Sequence, residues 1–310
     1  MTVTNFHTRY LVNIDWEAVS SPVYVGAITQ QQLASEAEIR SEAQSGEIHR
    51  RFMSLVGRRA TARFGTHQLA VALAECAQTG HVIENNGLIF YAQKYTKGST
   101  PAAGSVHRKY TIAEGVLVPR TISCTHQGDA EIIYEAMATY DGSNAPIVEA
   151  DSQSLPAAVA DSERFTIGGV TIGSVSIDHI RQLDIDFGIM VLLVGADSDQ
   201  YDTFAAVRGI APSITLRGIN IEWLKSTAIP WAGKTATHAN TTIYLRKRDL
   251  DGFVADETEE HLKFTADGLC VVDTLMDDSG EQPGECSLTL PLRYDGTNSP
   301  LTVDTASAIT

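Results

Sequence analysis

The chain has 310 residues, about twice a common domain length, with 43% apolar and 20% charged residues, a balance that excludes wholesale disorder. Lys and Arg number 23 against 38 Asp and Glu, net −15, so tight binding to nucleic acid through neutralised phosphates is excluded, while passage beside it is not. No apolar run approaches the ~20 residues of a membrane span, the opening MTVTNFHTRY lacks the regions of a signal peptide, and Cys76, Cys124, Cys270 and Cys286 stand singly, without zinc or redox spacing, as reduced buried thiols of a cytosolic product do.

In chain order, residues 8–14, 23–28 and 60–64 pattern as strands. Residues 33–44, LASEAEIRSEAQ, are helix formers by propensity. One helix is clear: Thr66 as N-cap, HQLAVALAECAQ as body and Gly80 as its stop. Strands follow at 88–93, 111–118 and 132–139. Residues 148–163, VEADSQSLPAAVADSE, are small and polar with Pro156 among them, the composition of a linker. Beyond it, strands at 165–170, 176–183 and 213–216 precede a short helix around 219–226, closed by Pro230. Strands at 241–246, 262–272 and 287–292 complete the chain.

The sequence repeats itself. YDGSNAPI at 140–147 recurs as YDGTNSPL at 294–301, and HRKYT at 107–111 as HLKFT at 261–265, both 154 residues on. Tyr91 with Gln93 and Lys94 answers Tyr244 with Arg246 and Lys247 at 153, and Phe52 and Gly57 answer Phe204 and Gly209 at 152. Four matches in one order imply a tandem duplication: 1–150, a linker at 151–163, and 164–310. The repeat also revises 33–44. Its partner, IDFGIMVLLVGA at 185–196, is rich in Ile, Val and Phe and reads as strand, so 33–44 is expected to be strand too; a helix in one copy only is the alternative. The expected fold is mainly β: two tandem copies of a β-barrel or sandwich domain, each with one flanking α-helix.

Little in the sequence points to catalysis. GxSxG, HExxH, the P-loop and GxGxxG after a strand are all missing. His107 and His261 are repeat equivalents at strand starts, where a hydrogen bond to a strand-end carbonyl accounts for them better than a duplicated base does. Cys124 and His126 are too close in sequence to suggest a thiol–imidazole pair. The run from Asp197 to Asp202 resembles part of a calcium loop but has Arg208 where the bidentate Glu belongs, so it reads as a solvated turn. The acids of 256–260, with Asp277 and Asp278, read as exposed loops. The repeated YDG[ST]N[AS]P, through Asp141, Gly142, Asn144, Asp295, Gly296 and Asn298, is turn chemistry at a strand end. No enzyme, cofactor or metal is expected.

The order of these features resembles the barrel domain of the tail tube (major tail) proteins of long-tailed bacteriophages, across nearly the whole chain and twice. An N-terminal strand leads to a strand pair such as LDIDFGIMVLLVGADSDQYDTF, then a short strand with Gly65 or Gly218, a flanking helix, a hairpin with a long loop, and the closing YDGSNAPI or YDGTNSPL. The resemblance implies rings whose inner strands form one barrel, stacked into a tube that conducts DNA through an acidic lumen without specific binding. Duplicated members of that family make threefold rings with pseudo-sixfold symmetry. It further implies a virion tail location after assembly in the host cytoplasm, no membrane, and partners among tape measure, tail terminator and distal tail proteins. The competing reading is a tandem-barrel binding module of a baseplate or capsid decoration, against which the 7% aromatic content counts. The acid excess is uneven: 1–155 hold 12 basic and 15 acidic residues, 156–310 hold 11 and 23. Part of the second-half surplus is therefore expected on outer loops.

Two repeat-equivalent segments, 95–106 and 248–260, exceed the 2–5 residues of an ordinary hairpin loop. The first carries Lys97; the second carries Asp249, Asp251, Asp256, Glu257, Glu259 and Glu260. Opposite charge makes them candidates for contacts between stacked rings; solvated hairpin tips are the alternative.

Overall fold

The computed structural model describes residues 4–15, 22–96, 107–156, 163–173, 175–196, 199–220, 236–250, 252–277 and 284–309. In chain order the elements are β1 (Thr4–Ile14), β2 (Val23–Val25), β3 (Ile28–Ala43), β4 (Arg50–Thr66), α1 (Leu69–Glu75), β5 (His81–Ile83), β6 (Leu88–Thr96), β7 (His107–Ile112), β8 (Glu114–Thr125), β9 (Glu131–Thr139) and β10 (Ile147–Gln153). They continue with β11 (Phe165–Ile172), β12 (Val175–Ile177), β13 (Ile180–Asp186), β14 (Ile189–Val194), β15 (Phe204–Ile210), β16 (Ser213–Gly218), β17 (Ala236–Asp249), β18 (Gly252–Phe253), β19 (His261–Asp277), β20 (Glu285–Pro291) and β21 (Leu301–Ser307). The fold is mainly β and antiparallel, of the sandwich or barrel class, with one helix among the described residues.

Strand order is the informative feature. One sheet runs β10-β7-β6-β1-β2, and the same order returns in the second half as β21-β19-β17-β11-β12. Facing them is a run of eight strands, β3-β4-β9-β8-β13-β16-β20-β19, in which each half supplies four strands in matching order. Period-2 alternation drives this layering: Ala60, Ala62 and Phe64 of β4 and Ile132, Tyr134 and Ala136 of β9 are buried, while the residues between them face away. The buried faces share one apolar cluster spanning both halves, including Phe64, Phe90, Phe165 and Phe264.

Residues 33–44 lie almost wholly within β3, as the repeat implied and against their propensity, because cross-strand pairing with β4 from Ile28 to Ala43 decides the conformation. Other expectations need correction. Thr66 is the last residue of β4, and the N-cap of the seven-residue helix is Gln68. The Thr66 hydroxyl donates to the Gly26 carbonyl (2.7 Å) and accepts the Gln68 N–H (3.0 Å), so it ties strand to helix. Residues 151–153, placed in the expected linker, are instead the end of β10, which runs to Gln153 and pairs with β7. Expected strand 111–118 is broken at Ala113, between β7 and β8, and 176–183 at Asp178 and His179, where His179 has φ +56°. The helix expected at 219–226 lies outside the described residues from 221 onward.

Candidate assembly interface

The two halves meet edge to edge. Strand β8 pairs antiparallel with β13, from Thr121↔Asp186 to Thr125↔Gln182, and so makes one sheet of eight strands. Flanking bonds extend the join: Phe187 N–H donates to Arg120 O (3.0 Å) and His126 N–H to Arg181 O (2.6 Å). The Arg120 guanidinium spans the seam, donating to Glu135 Oε2 and to Ile189 O, both at 2.6 Å.

The run ends in two strand edges. Among the described residues β3 pairs only with β4, and the 271–277 end of β19 pairs only with β20. By repeat position, β3 is the counterpart of β13 and this end of β19 is the counterpart of β8. The same bulge marks both: one between Pro119 and Thr121, the other between Val272 and Thr274. The outer edges of the chain thus match the two edges already joined within it. An exposed strand edge is a template for pairing unless it is blocked, and neither carries a proline there.

The face of this sheet turned away from the core is polar. Glu131, Glu135, Asp184, Asp186 and Glu285 alternate with buried neighbours, and Arg63, Arg120, Arg217 and Arg181, the last paired with Glu285 at 2.7 Å, offset them only in part. Desolvation raises the Asp184 pKa above its ordinary value, opposed by a hydrogen bond from Gln182 and by the charge of Arg217.

Both halves extend this sheet into an arm. In the first the arm is the continuous β3–β4 hairpin; in the second it is β14–β15. The two arms carry most of the exposed large apolar side chains, among them Ile39, Ile48, Phe52 and Met53 on the first and Leu192 and Phe204 on the second.

The repeated turns have one geometry. Asp141 Oδ1 accepts the N–H groups of Ser143 (2.8 Å) and Asn144 (2.6 Å), and its Oδ2 accepts Asn144 Nδ2 (3.0 Å). Asp295 repeats this with Thr297 and Asn298, at 2.7, 2.7 and 2.8 Å. Gly142 and Gly296 have φ +85° and +98°, where a side chain is disfavoured. These residues hold a turn and leave no donor set for a ligand.

Of the charged loop candidates, Lys97 and Asp251 lie outside the described residues. Asp256 pairs with Arg246 (2.8 Å) and Glu260 with Lys247 (2.8 Å), both bases on β17. Asp249 Oδ1 accepts the Leu250 N–H, and Glu257 and Glu259 lie in turns of the segment after β18. Two of the acids are thus already met by the chain's own bases, which spacing alone could not reveal.

The two repeat-equivalent histidines are engaged within the fold. His261 Nδ1 accepts the Lys247 N–H and Nε2 lies at hydrogen-bond distance from Ala255 O, each at 3.0 Å. Burial lowers the His107 pKa, opposed by a hydrogen bond to the Gln153 backbone. Cys76, Cys124 and Cys286 are free and buried, and desolvation raises each thiol pKa. Among the described residues no group of three His, Cys, Asp or Glu could hold a metal ion, and no helix is long and apolar enough to cross a membrane. Compared with known protein families and with curated proteins, the chain matches none.

Proposed function

We propose that this protein is a structural tail tube protein that closes into a threefold ring of six similar domains and stacks into a DNA-conducting tube of a phage virion. The observation that carries the reading is the pair of matching edges. An edge contact that joins two halves within a chain, offered again at the chain's two ends, is a heterologous interface, which closes into a ring or runs on as a filament. The polar, mildly acidic sheet face fits a wall along which phosphates slide and do not adhere. The inner sheet would then continue from one subunit to the next.

The intrachain join supplies the register. Thr121↔Asp186 and Ile122↔Ile185 translate to Thr274↔Ala34 and Leu275↔Leu33 across subunits. Directly opposed residues of an antiparallel pair have Cα atoms ~4.5–5.5 Å apart, within disulfide range. An Ala34→Cys, Thr274→Cys variant, oxidised and run under denaturing conditions, is expected to give a ladder ending at trimer, and microscopy of the untreated protein is expected to show rings or tubes. Monomers with no inter-chain disulfide, or sixfold rings of whole chains, would refute the reading. Discrete assemblies without rings would favour a baseplate or decoration module.

A further inference from the structure

The second arm shows within one chain how an arm docks. Its tip folds back on the first half, where the Tyr201 ring stacks on Tyr140 with centroids 6.3 Å apart and planes 27° apart. The Tyr140 N–H donates to Asp202 O (2.9 Å) and the Arg58 N–H to Gln200 O (2.5 Å), and Arg59 pairs with Asp202 at 3.6 Å. Tyr201 thereby forms one wall of a cleft of about 230 Å³ that Ser35, Ala60, Ala145, Pro146 and Ile147 also line.

The second half presents the corresponding cleft with no arm tip over it among the described residues, Gln78 and Thr79 of the first half forming the rest of its wall. The repeat places Phe187, Pro212, Ser299, Pro300 and Leu301 at those five positions, and all five line a cleft of about 440 Å³. Tyr294 stands where Tyr140 does and Ile210 where Arg58 does, and both also line it. Tyr140 is half-buried under the arm, whereas Tyr294 is 61% exposed. The difference is an arm.

The first arm is the free one. At the positions of Gln200 and Tyr201 its tip carries Ile48 and His49, and Ile48 is 94% exposed. An isoleucine so placed gains nothing from solvent, and the cleft offers apolar cover in Ile210, Pro212, Tyr294 and Pro300. We infer that this cleft receives the first-arm tip of a second copy of this chain, His49 taking the place of Tyr201 beside Tyr294 and Ile48 lying at the rim against Ile210, the counterpart of Arg58. The contact is head-to-tail, and its closure into a ring rests on the reading above.

Two variants test it. Ile48→Glu alters an exposed residue, so the folded chain, followed by circular dichroism and melting temperature, is expected to be unchanged. Loss of one buried isoleucine contact weakens association on the order of tenfold or more, read by analytical ultracentrifugation. In the second variant a photo-crosslinking aromatic replaces Ile48 in a mixture of light and heavy isotope-labelled protein. Adducts are expected between chains, on peptides containing 210–212 or 294–301. Rings that form normally with Ile48→Glu, or adducts that map elsewhere on an assembled ring, overturn the arm contact and leave the ring reading standing. Adducts at the cleft in dimers or open filaments support the contact and refute the closed ring. A wild-type chain that stays monomeric at high concentration without interchain adducts overturns both.

Discussion

At the residue scale the chemistry is that of turns and close packing. Hydrogen bonds from Asn298 and Thr297 hold the Asp295 carboxyl down at about 2, and those of Asn144 and Ser143 lower Asp141 likewise. Both pKa values are depressed in the folded chain, so the turns are favoured fully above the ordinary carboxylate range, ~4, and that contribution is lost as pH falls through the folded values. An NMR titration of the Asp295 carboxyl is expected to show a midpoint near 2, and a midpoint at the ordinary value would show that the turn is not formed in solution. Gly188 is a position where the backbone itself requires glycine. It has φ +57°, and a Cβ there would overlap the carbonyl of Ala211. Gly188→Ala is therefore expected to destabilise by about 1–3 kcal/mol or more, measured as a lower denaturation midpoint. The thiols of Cys76, Cys124 and Cys286 are expected not to react with a disulfide reagent until the chain unfolds.

At the element scale the two halves differ in where their strands break. Strands β3 and β4 run unbroken into their arm, whereas the second-half counterparts bend at Phe187 and Gly188 and at Ala211 and Pro212, with Ala211 N–H donating to Gly188 O (3.1 Å). That bend accompanies an arm folded back on its own chain; the straight pair leaves its arm projecting. The helix depends on tertiary support, since seven residues are too few to be stable alone. Leu69, Ala72 and Leu73 are buried, and Tyr134 Oη donates to Cys76 O at the helix end (2.9 Å) while its ring stacks on Phe64. Tyr134→Phe leaves that buried carbonyl without its donor, an expected cost of about 1–3 kcal/mol. Leu73→Ala is expected to cost about 2–5 kcal/mol. Chemical denaturation measures both, and a neutral Tyr134→Phe would show that the helix end is held by other contacts.

At the scale of the whole molecule, two groups of the second half's acids stand out among the described residues. Asp184, Asp186 and Glu285 lie on the polar face of the joined sheet, and Asp249, Asp256, Glu257, Glu259 and Glu260 lie around the β17–β18 hairpin. If rings stack through the hairpin charges, tube length should fall as salt rises through the screening range, where the Debye length shortens to ~8 Å and below. Lateral closure through backbone pairing and apolar arm tips should persist. Tube-length distributions by microscopy at 50 mM and 1 M salt separate the two, and tubes of equal length would remove the charged loops from the stacking contact.

The amino-acid sequence by itself determined the mainly β class, because period-2 alternation is local and survives in strands such as β9, β14, β16, β20 and β21. The turns of Asp141 and Asp295 were legible too, since an Asx turn closes within four residues. Internal comparison alone made β3 legible as strand: LASEAEIRSEAQ favours helix, and only its Ile- and Val-rich counterpart betrays the pairing. What the tertiary structure decided is everything that depends on contacts distant along the chain. The β8–β13 seam joins residues about 60 apart, Asp256 and Glu260 are neutralised by bases on β17, and one cleft has Tyr201 of the second arm as a wall while its counterpart has no arm residue. None of these leaves a periodic or compositional trace. Each is a matter of which edges and surfaces meet once the strands are laid side by side, and that is set by packing the two halves against each other.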